Sequence, residues 1–269
     1  MLNPRTTFYA FLTFLFCASL AAQQPAQLPL AKPPAPTRDP QALVTIQNAV
    51  LAMGGSQIIG AIRNITVRGT AQTVPASPGD PTTFVWVVSG ADYRYENDGA
   101  QGSHTLISNG GNPVDVRDGK AVPIAYHVSR ATLPFHLPAV LLYSELSNAN
   151  YSFHFVGQTT VGGRPAIQVH AEDDSDSIGP IVTPQEWYFD VASNIPLRVE
   201  YRLPDAARGT KWTEGSMDFS SFQLVKGMLI PFGLAVTDGP ISLQITAVSA
   251  TVNENLPANT FTPSVGASQ

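Results

Sequence analysis

The chain has 269 residues, of which 43% are hydrophobic and 13% charged, against about a quarter charged in an ordinary soluble domain. Its formal net charge is −5 and it contains no dense cluster of Lys and Arg, which excludes a nucleic-acid partner. Its length suits one large β domain or two small domains.

The first 22 residues have the features of a secretory leader. Arg5 precedes an apolar run from Phe8 to Leu20, and Ser19-Leu20-Ala21 offers small residues where a signal peptidase cuts. This run is shorter than the roughly 20 residues of a membrane span. We therefore expect residues 1–22 to be a cleaved signal peptide, with no transmembrane segment left after cleavage. The mature chain, without Cys17, is expected in the periplasm or cell envelope.

A linker and a helix are predicted next. Residues 23–38 are rich in proline among Ala and Gln, which predicts an extended linker. Asp39 can cap a helix that begins with Pro40, and apolar residues then recur at helical spacing until Gly54-Gly55. We predict a helix over 41–53, which a shorter turn over 56–62 can follow.

From Ile62 onward the apolar period changes to two, which is typical of β-strands. A second helix, about 137–148, interrupts the strands, and Asp118-Gly119-Lys120 predicts a hairpin turn. The fold class is therefore mainly β (α+β): a curved antiparallel sheet of about eleven strands with two covering helices, over 39–263, followed by a tail over 264–269. The predicted strands are 62–70, 83–89, 92–96, 103–108, 151–160, 165–172, 185–190, 197–203, 210–222, 229–238 and 242–252.

Several strand segments carry a family resemblance. They are Phe84-Val85-Trp86-Val87 with Tyr93-Arg94-Tyr95-Glu96, Glu186-Trp187-Tyr188-Phe189-Asp190 with Ile195-Pro196-Leu197, and Gly227-Met228-Leu229-Ile230-Pro231-Phe232. With these segments in this order, the chain resembles the LolA/LolB-like outer-membrane lipoprotein-sorting superfamily. The resemblance implies a half-barrel with an apolar concave face and helices as a lid. It also implies a lid-binding arginine soon after the first Trp-containing strand, where this chain has Ser89-Gly90-Ala91-Asp92 and then Arg94.

The resemblance implies that acyl chains lie on the concave face, and strand alternation places large apolar side chains there. The competing interpretation is that the same side chains pack the sheet against the helices. No cofactor is expected. The candidate ligand contacts are Trp86, Val88, Tyr93, Tyr95, Leu137, Leu141, Phe153, Phe155, Trp187 and Phe189.

The sequence predicts no catalytic site and no enzyme activity, because its five histidines are dispersed and it lacks the common hydrolase and metalloprotease motifs. His154 and His170 could face each other across a hairpin and hold a metal with Glu172. The alternative, two strand histidines on a solvated face, is our prediction. The acidic run 172–177 is interpreted as a solvated loop, since the glutamate that a calcium loop needs is Gln185.

Two functions follow as hypotheses. The first is an exported periplasmic carrier-like protein that holds the acyl chains of a lipid or lipoprotein in an apolar half-barrel. The alternative is a non-enzymatic envelope interaction or sensor module with a packed core, whose partner is another envelope protein.

Overall fold

The computed structural model describes residues 35–99, 102–117, 119–125, 136–204 and 212–263. These residues belong to one compact unit that begins at Lys32. The predicted leader, nearly all of the predicted linker and the 264–269 tail lie outside the described residues, as does His127. None of the described helices is long and apolar enough to cross a membrane.

In the described part of the chain, thirteen strands form a single antiparallel sheet that is curved and not closed. In the sheet they lie in the order β6-β5-β4-β3-β2-β1-β13-β12-β11-β10-β9-β8-β7. The strands are β1 Ile65–Thr73, β2 Thr82–Ser89, β3 Asp92–Gly99, β4 Gly102–Asn109, β5 Asn112–Arg117, β6 Lys120–Pro123, β7 Tyr151–Val161, β8 Arg164–Asp173, β9 Gln185–Asp190, β10 Pro196–Pro204, β11 Trp212–Val225, β12 Met228–Asp238 and β13 Ile241–Val252.

This order corresponds to two meanders, β1–β6 and β7–β13, that meet in the middle of the sheet. The first and last strands join them, with Ile65 opposite Val252 at one end of the pairing. The chain passes from β6 at one edge to β7 at the other, and this connection carries a helix. The predicted mainly-β fold with a curved antiparallel sheet is confirmed.

Four helices accompany the sheet: α1 Pro40–Ala52, α2 Gly55–Gly60, α3 Pro138–Ser147 and α4 Gly179–Val182. α1 and α3 are the two predicted helices, and their bounds agree with the predictions to within a residue. The α3 helix packs against α1, α2 and β12, while α1 packs on β7 and β8. The two long helices therefore cover the half of the sheet that the second meander forms.

The structure has more elements than the sequence patterns predicted. The two additional strands are β5 and β6, the hairpin around the predicted turn at Gly119. Their residues alternate too weakly to be recognised as strands, since Val114 and Val116 are the only aliphatic side chains of β5. The four-residue α4 is too short for any periodicity to predict.

Local interactions fix both ends of α1. The Asp39 carboxylate accepts a hydrogen bond from the backbone N–H of Gln41 at 2.8 Å, and Pro40 occupies the first turn. At the other end Gly54 has a φ of +135°, and a Cβ there would lie 2.7 Å from the carbonyl oxygen of Gly227. Glycine therefore allows the chain to turn against the β11–β12 hairpin, where Leu229 N–H donates to the Met53 carbonyl.

The residues before α1 protect a free sheet edge. Arg38 forms a parallel bridge with Phe153 of β7, and backbone hydrogen bonds join Asp39 and Thr37 to that same residue. An unpaired edge strand is a template for aggregation. Pairing with residues 37–39 covers this part of the β7 edge.

Candidate functional site

All ten predicted ligand contacts lie in one apolar cluster between the sheet and the helices. Seven of them are buried: Trp86, Val88, Leu137, Leu141, Phe153, Trp187 and Phe189. The other three, Tyr93, Tyr95 and Phe155, are partly buried and pack against the cluster. The structure thus brings the ten together on one face, where they contact protein. Their contact with a ligand stays a prediction.

An aromatic stack forms the centre of this cluster. Trp187 is fully buried, and its ring centroid lies 6.2 Å from that of Phe189 and 6.0 Å from that of Phe219. The Trp187 and Phe219 rings are nearly parallel, at 5°. Offset stacks of this kind stabilise a core by more than their buried area alone.

A buried polar chain links α3 to the same stack. The Trp187 indole N–H donates to Gln185 Oε1 at 2.7 Å, and Gln185 Nε2 donates to Glu145 Oε1 at 2.8 Å. Burial raises the pKa of Glu145 to about 8, and the charge of Asp173 acts in the same direction. At neutral pH the helix is therefore held to the sheet by a mostly protonated carboxyl group.

A second polar contact holds the C-terminal end of α3. The Arg38 guanidinium donates to the carbonyl oxygens of Leu146 at 2.7 Å and Asn148 at 2.9 Å, and it lies 5.1 Å from the centre of the Phe153 ring. Arginine near the end of a helix satisfies carbonyls that lack partners within it. Arg38 thus fastens α3 from the β7 edge of the sheet, and it precedes α1 in the sequence and does not follow the first Trp-containing strand.

Arg94 does not have that role. Its neighbours across the strand pairings are Val87 and Ile107, so it lies on the sheet face opposite to Trp86 and Tyr95. There it pairs with Glu96 and donates to the carbonyl oxygen of Thr260 at 3.1 Å. It fastens the C-terminal segment to the outer face of the sheet.

A small cavity lies beside Trp86. Its volume is about 20 Å³, enough for about one water molecule. The imidazole of His136 lines it, with its ring centroid 3.6 Å from that of Trp86. Burial lowers the pKa of His136 to about 3, and its Nδ1 has no hydrogen-bond partner in the described ranges. This cavity does not have room for an acyl chain.

A larger cleft of about 390 Å³ opens where α2, α3, the start of β1 and the end of β2 meet. Its size falls in the range of small-molecule sites. Its deepest residues, Ile59, Ile65 and Val88, also belong to the apolar cluster. The residues that line the cleft are Ile59, Gly60, Ile62, Arg63, Asn64, Ile65, Val88, Gly90, Val140, Tyr143, Ser144, Ser147 and Asn148.

Of the ten predicted contacts, only Val88 lines this cleft, while Trp86 and Tyr95 line the small cavity. The sequence did contain a signal for the other residues that α3 contributes to the cleft. Val140, Tyr143, Ser144 and Ser147 recur at helical spacing, on a side of the helix different from the predicted apolar stripe.

The predicted pairing of His154 and His170 is observed, with ring centroids 6.0 Å apart. His170 Nδ1 lies 2.6 Å from Glu186 Oε1, and this hydrogen bond raises the pKa of His170. In the ranges that the structure describes, no three His, Cys, Asp or Glu side chains are placed to hold a metal ion. The pair belongs to a polar ladder on the outer face of the sheet.

The acidic run uses its carboxylates to build a turn. Asp173 accepts from the backbone N–H of Ser175, and Asp176 accepts from those of Ile178 and Gly179 at the start of α4. Side chains of Asp commonly stabilise turns in this way. The local sequence thus folds as a capped loop.

No protein-family model matches the chain. No curated protein matches it either. Solved structures do resemble it. A domain described as an outer-membrane lipoprotein-sorting protein, from Vibrio parahaemolyticus, has a TM-score of 0.53 at 14% identity, covering 82% of this chain and 96% of that one.

Two further structures are similar to the same extent. A LolA superfamily protein from Nitrosomonas europaea has a TM-score of 0.53 at 10% identity, covering 82% of this chain and 97% of that one. A DUF1329 family protein from Desulfovibrio piger has a TM-score of 0.51 at 10% identity, covering 82% and 96%. The predicted resemblance is confirmed at the level of the fold.

Proposed function

We propose that the protein is an exported, non-enzymatic carrier that binds the acyl part of a lipid or lipoprotein in its half-barrel. The observation that carries this proposal is the cleft of about 390 Å³, which is continuous with the apolar cluster through Ile59, Ile65 and Val88. The likeness of the fold to a lipoprotein-sorting domain supports it.

The leader and linker belong to this proposal. Residues 1–22 direct export to the periplasm or cell envelope and are removed, and residues 23–38 are the linker that then precedes the domain. Residues 39–263 form the binding domain.

Burial of methylenes supplies the binding energy. Each buried methylene contributes about 0.8 kcal/mol, so ten contribute about 8 kcal/mol before ordering costs. That equals the binding free energy of a ligand with a micromolar dissociation constant, which is about 8 kcal/mol. Burial alone therefore reaches micromolar affinity when the ordering costs stay small.

Access to the deeper aromatic residues requires α3 to move. Leu137 and Leu141 belong to this helix, which is held by the Arg38 and Glu145 contacts described above. When it lifts, the predicted contacts of the second meander become accessible to a longer chain: Phe153, Phe155, Trp187 and Phe189. Opening and closing of α3 would then couple to loading and release.

Titration with a dansyl-labelled undecanoic acid tests the proposal. We expect the probe's fluorescence to rise on binding, with a dissociation constant in the micromolar range, and unlabelled long-chain lipids to reverse the rise. A folded protein that leaves the fluorescence unchanged would contradict the carrier function.

One observation favours the alternative, an envelope interaction module. The cluster beneath α3 is tightly packed, and the cavity at Trp86 holds only about 20 Å³. In that case a protein partner would be recovered by crosslinking in intact cells, while the probe would not bind.

A further inference from the structure

The cleft combines an apolar interior with a polar rim. Ile59, Ile65 and Val88 are 3%, 2% and 4% exposed and form its interior, whereas Arg63 and Ser144 are exposed and form its rim. Such a gradient matches a molecule with an apolar chain and a polar head.

The rim carries a cation without a carboxylate partner. Arg63 forms no ion pair with any residue in the described ranges, although the chain has an excess of acidic side chains. The Ser144 hydroxyl likewise has no hydrogen bond within the described part. Five other arginines do pair with carboxylates: Arg94, Arg117, Arg164, Arg198 and Arg202.

Two helices end near the cleft, and free carbonyl oxygens there would repel an anion. Protein donors already occupy several of these oxygens. Asn253 Nδ2 donates to the carbonyl of Ala61 after α2, and Arg38 donates to those of Leu146 and Asn148 at the end of α3. These occupied oxygens therefore repel an anionic head group at Arg63 less than free ones would.

The volume limits the apolar part to one chain. The cleft of about 390 Å³ lies near the lower end of the range of roughly 300–1,000 Å³ for small-molecule sites, which suits one acyl chain and not two or three side by side.

We propose that this cleft binds a free fatty acid, with the carboxylate at Arg63 and a single acyl chain along Ile59, Ile65 and Val88. The inference rests on the proposed carrier function and narrows its ligand. Ser144 lines the same cleft and offers a hydroxyl donor, while Arg63 supplies the charge-assisted hydrogen bond to the head group.

The test uses the exported full chain and two pairs of variants. Arg63→Gln removes the charge on the rim, and Arg68→Gln is its control, because Arg68 is also exposed, lies outside the cleft and has no carboxylate partner in the described ranges. Val140→Trp fills the cleft, and Val44→Trp is its control on the exposed side of α1.

Displacement of the dansyl-labelled probe is measured with dodecanoate and with dodecanol. We expect Arg63→Gln to weaken dodecanoate about tenfold and dodecanol less than twofold, since one hydrogen bond to a charged group is lost. Val140→Trp should abolish binding of the probe and of both compounds. The two control variants should behave as the wild type does.

The outcomes separate this inference from the proposed function. If dodecanoate displaces the probe from Arg63→Gln as well as it does from the wild type, the carboxylate assignment is wrong and the carrier function stands. If Val140→Trp binds both compounds normally, the site lies elsewhere in the half-barrel and this inference is overturned. If the wild type binds neither probe nor competitor, the carrier function itself fails.

Discussion

Replacing Glu145 with glutamine should make the protein more stable at neutral and alkaline pH. Glu145 is 2% exposed, lies beneath α3 and accepts a hydrogen bond from Gln185, and burial raises its pKa to about 8. Glutamine keeps the acceptor oxygen and the shape of the protonated carboxyl group, but it cannot ionise.

The sign of the effect follows from proton linkage. Between its ordinary pKa of 4.5 and the folded value of about 8, Glu145 is protonated in the folded chain and ionised in the unfolded chain. The unfolded state therefore binds fewer protons, and the free energy of unfolding falls as pH rises, by about 1 kcal/mol per pH unit. The contribution of the protonated Glu145 carboxyl group to the free energy of unfolding is full below pH 4.5 and is lost by about pH 8. Glu145→Gln removes this slope.

Urea unfolding followed by tryptophan fluorescence at pH 5.5, 6.5 and 7.5 measures the slope. The difference between wild type and variant cancels the titration of every other group, including His170. We expect Glu145→Gln to gain about 2 kcal/mol relative to wild type between pH 5.5 and pH 7.5. Glu214→Gln, which changes an exposed carboxylate on β11, is the matched control and should show no such gain.

Parallel pH profiles for the wild type and Glu145→Gln would refute the reasoning, because they would mean that Glu145 has the same pKa in the folded and unfolded chain. A variant that loses stability at every pH by the same amount would likewise show that the hydrogen bond, and not the proton, sets its contribution.

Two further predictions concern other polar contacts. Arg38→Ala should cost about 1–3 kcal/mol, because it leaves carbonyl oxygens at the end of α3 without their donor, and hydrogen exchange should accelerate in α3 before it does in the sheet; unchanged exchange there would contradict the role of Arg38. Glu186→Gln should lower the pKa of His170, measured by NMR titration, since the Glu186 hydrogen bond is the largest contribution that raises it. Because the raised pKa of His170 stabilises the protonated folded form, the stability advantage of wild type over this variant should be full below pH 6.5, as long as Glu186 is ionised, and should disappear as pH rises through the folded pKa of His170; an advantage that persists at high pH would contradict this.

The period-two patterns and glycine turns predicted most of the sheet because each strand has one apolar face. Trp86 and Val88 alternate with outward residues and do lie on the covered face. Alternation alone cannot say whether a helix or a ligand covers that face, since both require the same apolar side chains. For this reason the aromatic residues were predicted on the correct face, but their packing beneath the helices could not be resolved.

The cleft could not be predicted because its walls come from distant parts of the chain. Ile59 lies on the six-residue helix α2, and Val140 lies on α3, about eighty residues later in the sequence. Their meeting depends on how the two meanders join. Glu145 was missed for a related reason: a single glutamate on an amphipathic helix normally faces solvent, and only the position of Gln185 accounts for its burial.

Native mass spectrometry of the exported protein, purified without detergent, tests the acyl-lipid carrier function most directly. The account predicts a second species, heavier by the mass of one single-chain lipid, that reverts to the protein mass when collision energy is raised. A single species at the protein mass, even after incubation with excess dodecanoate, would contradict it.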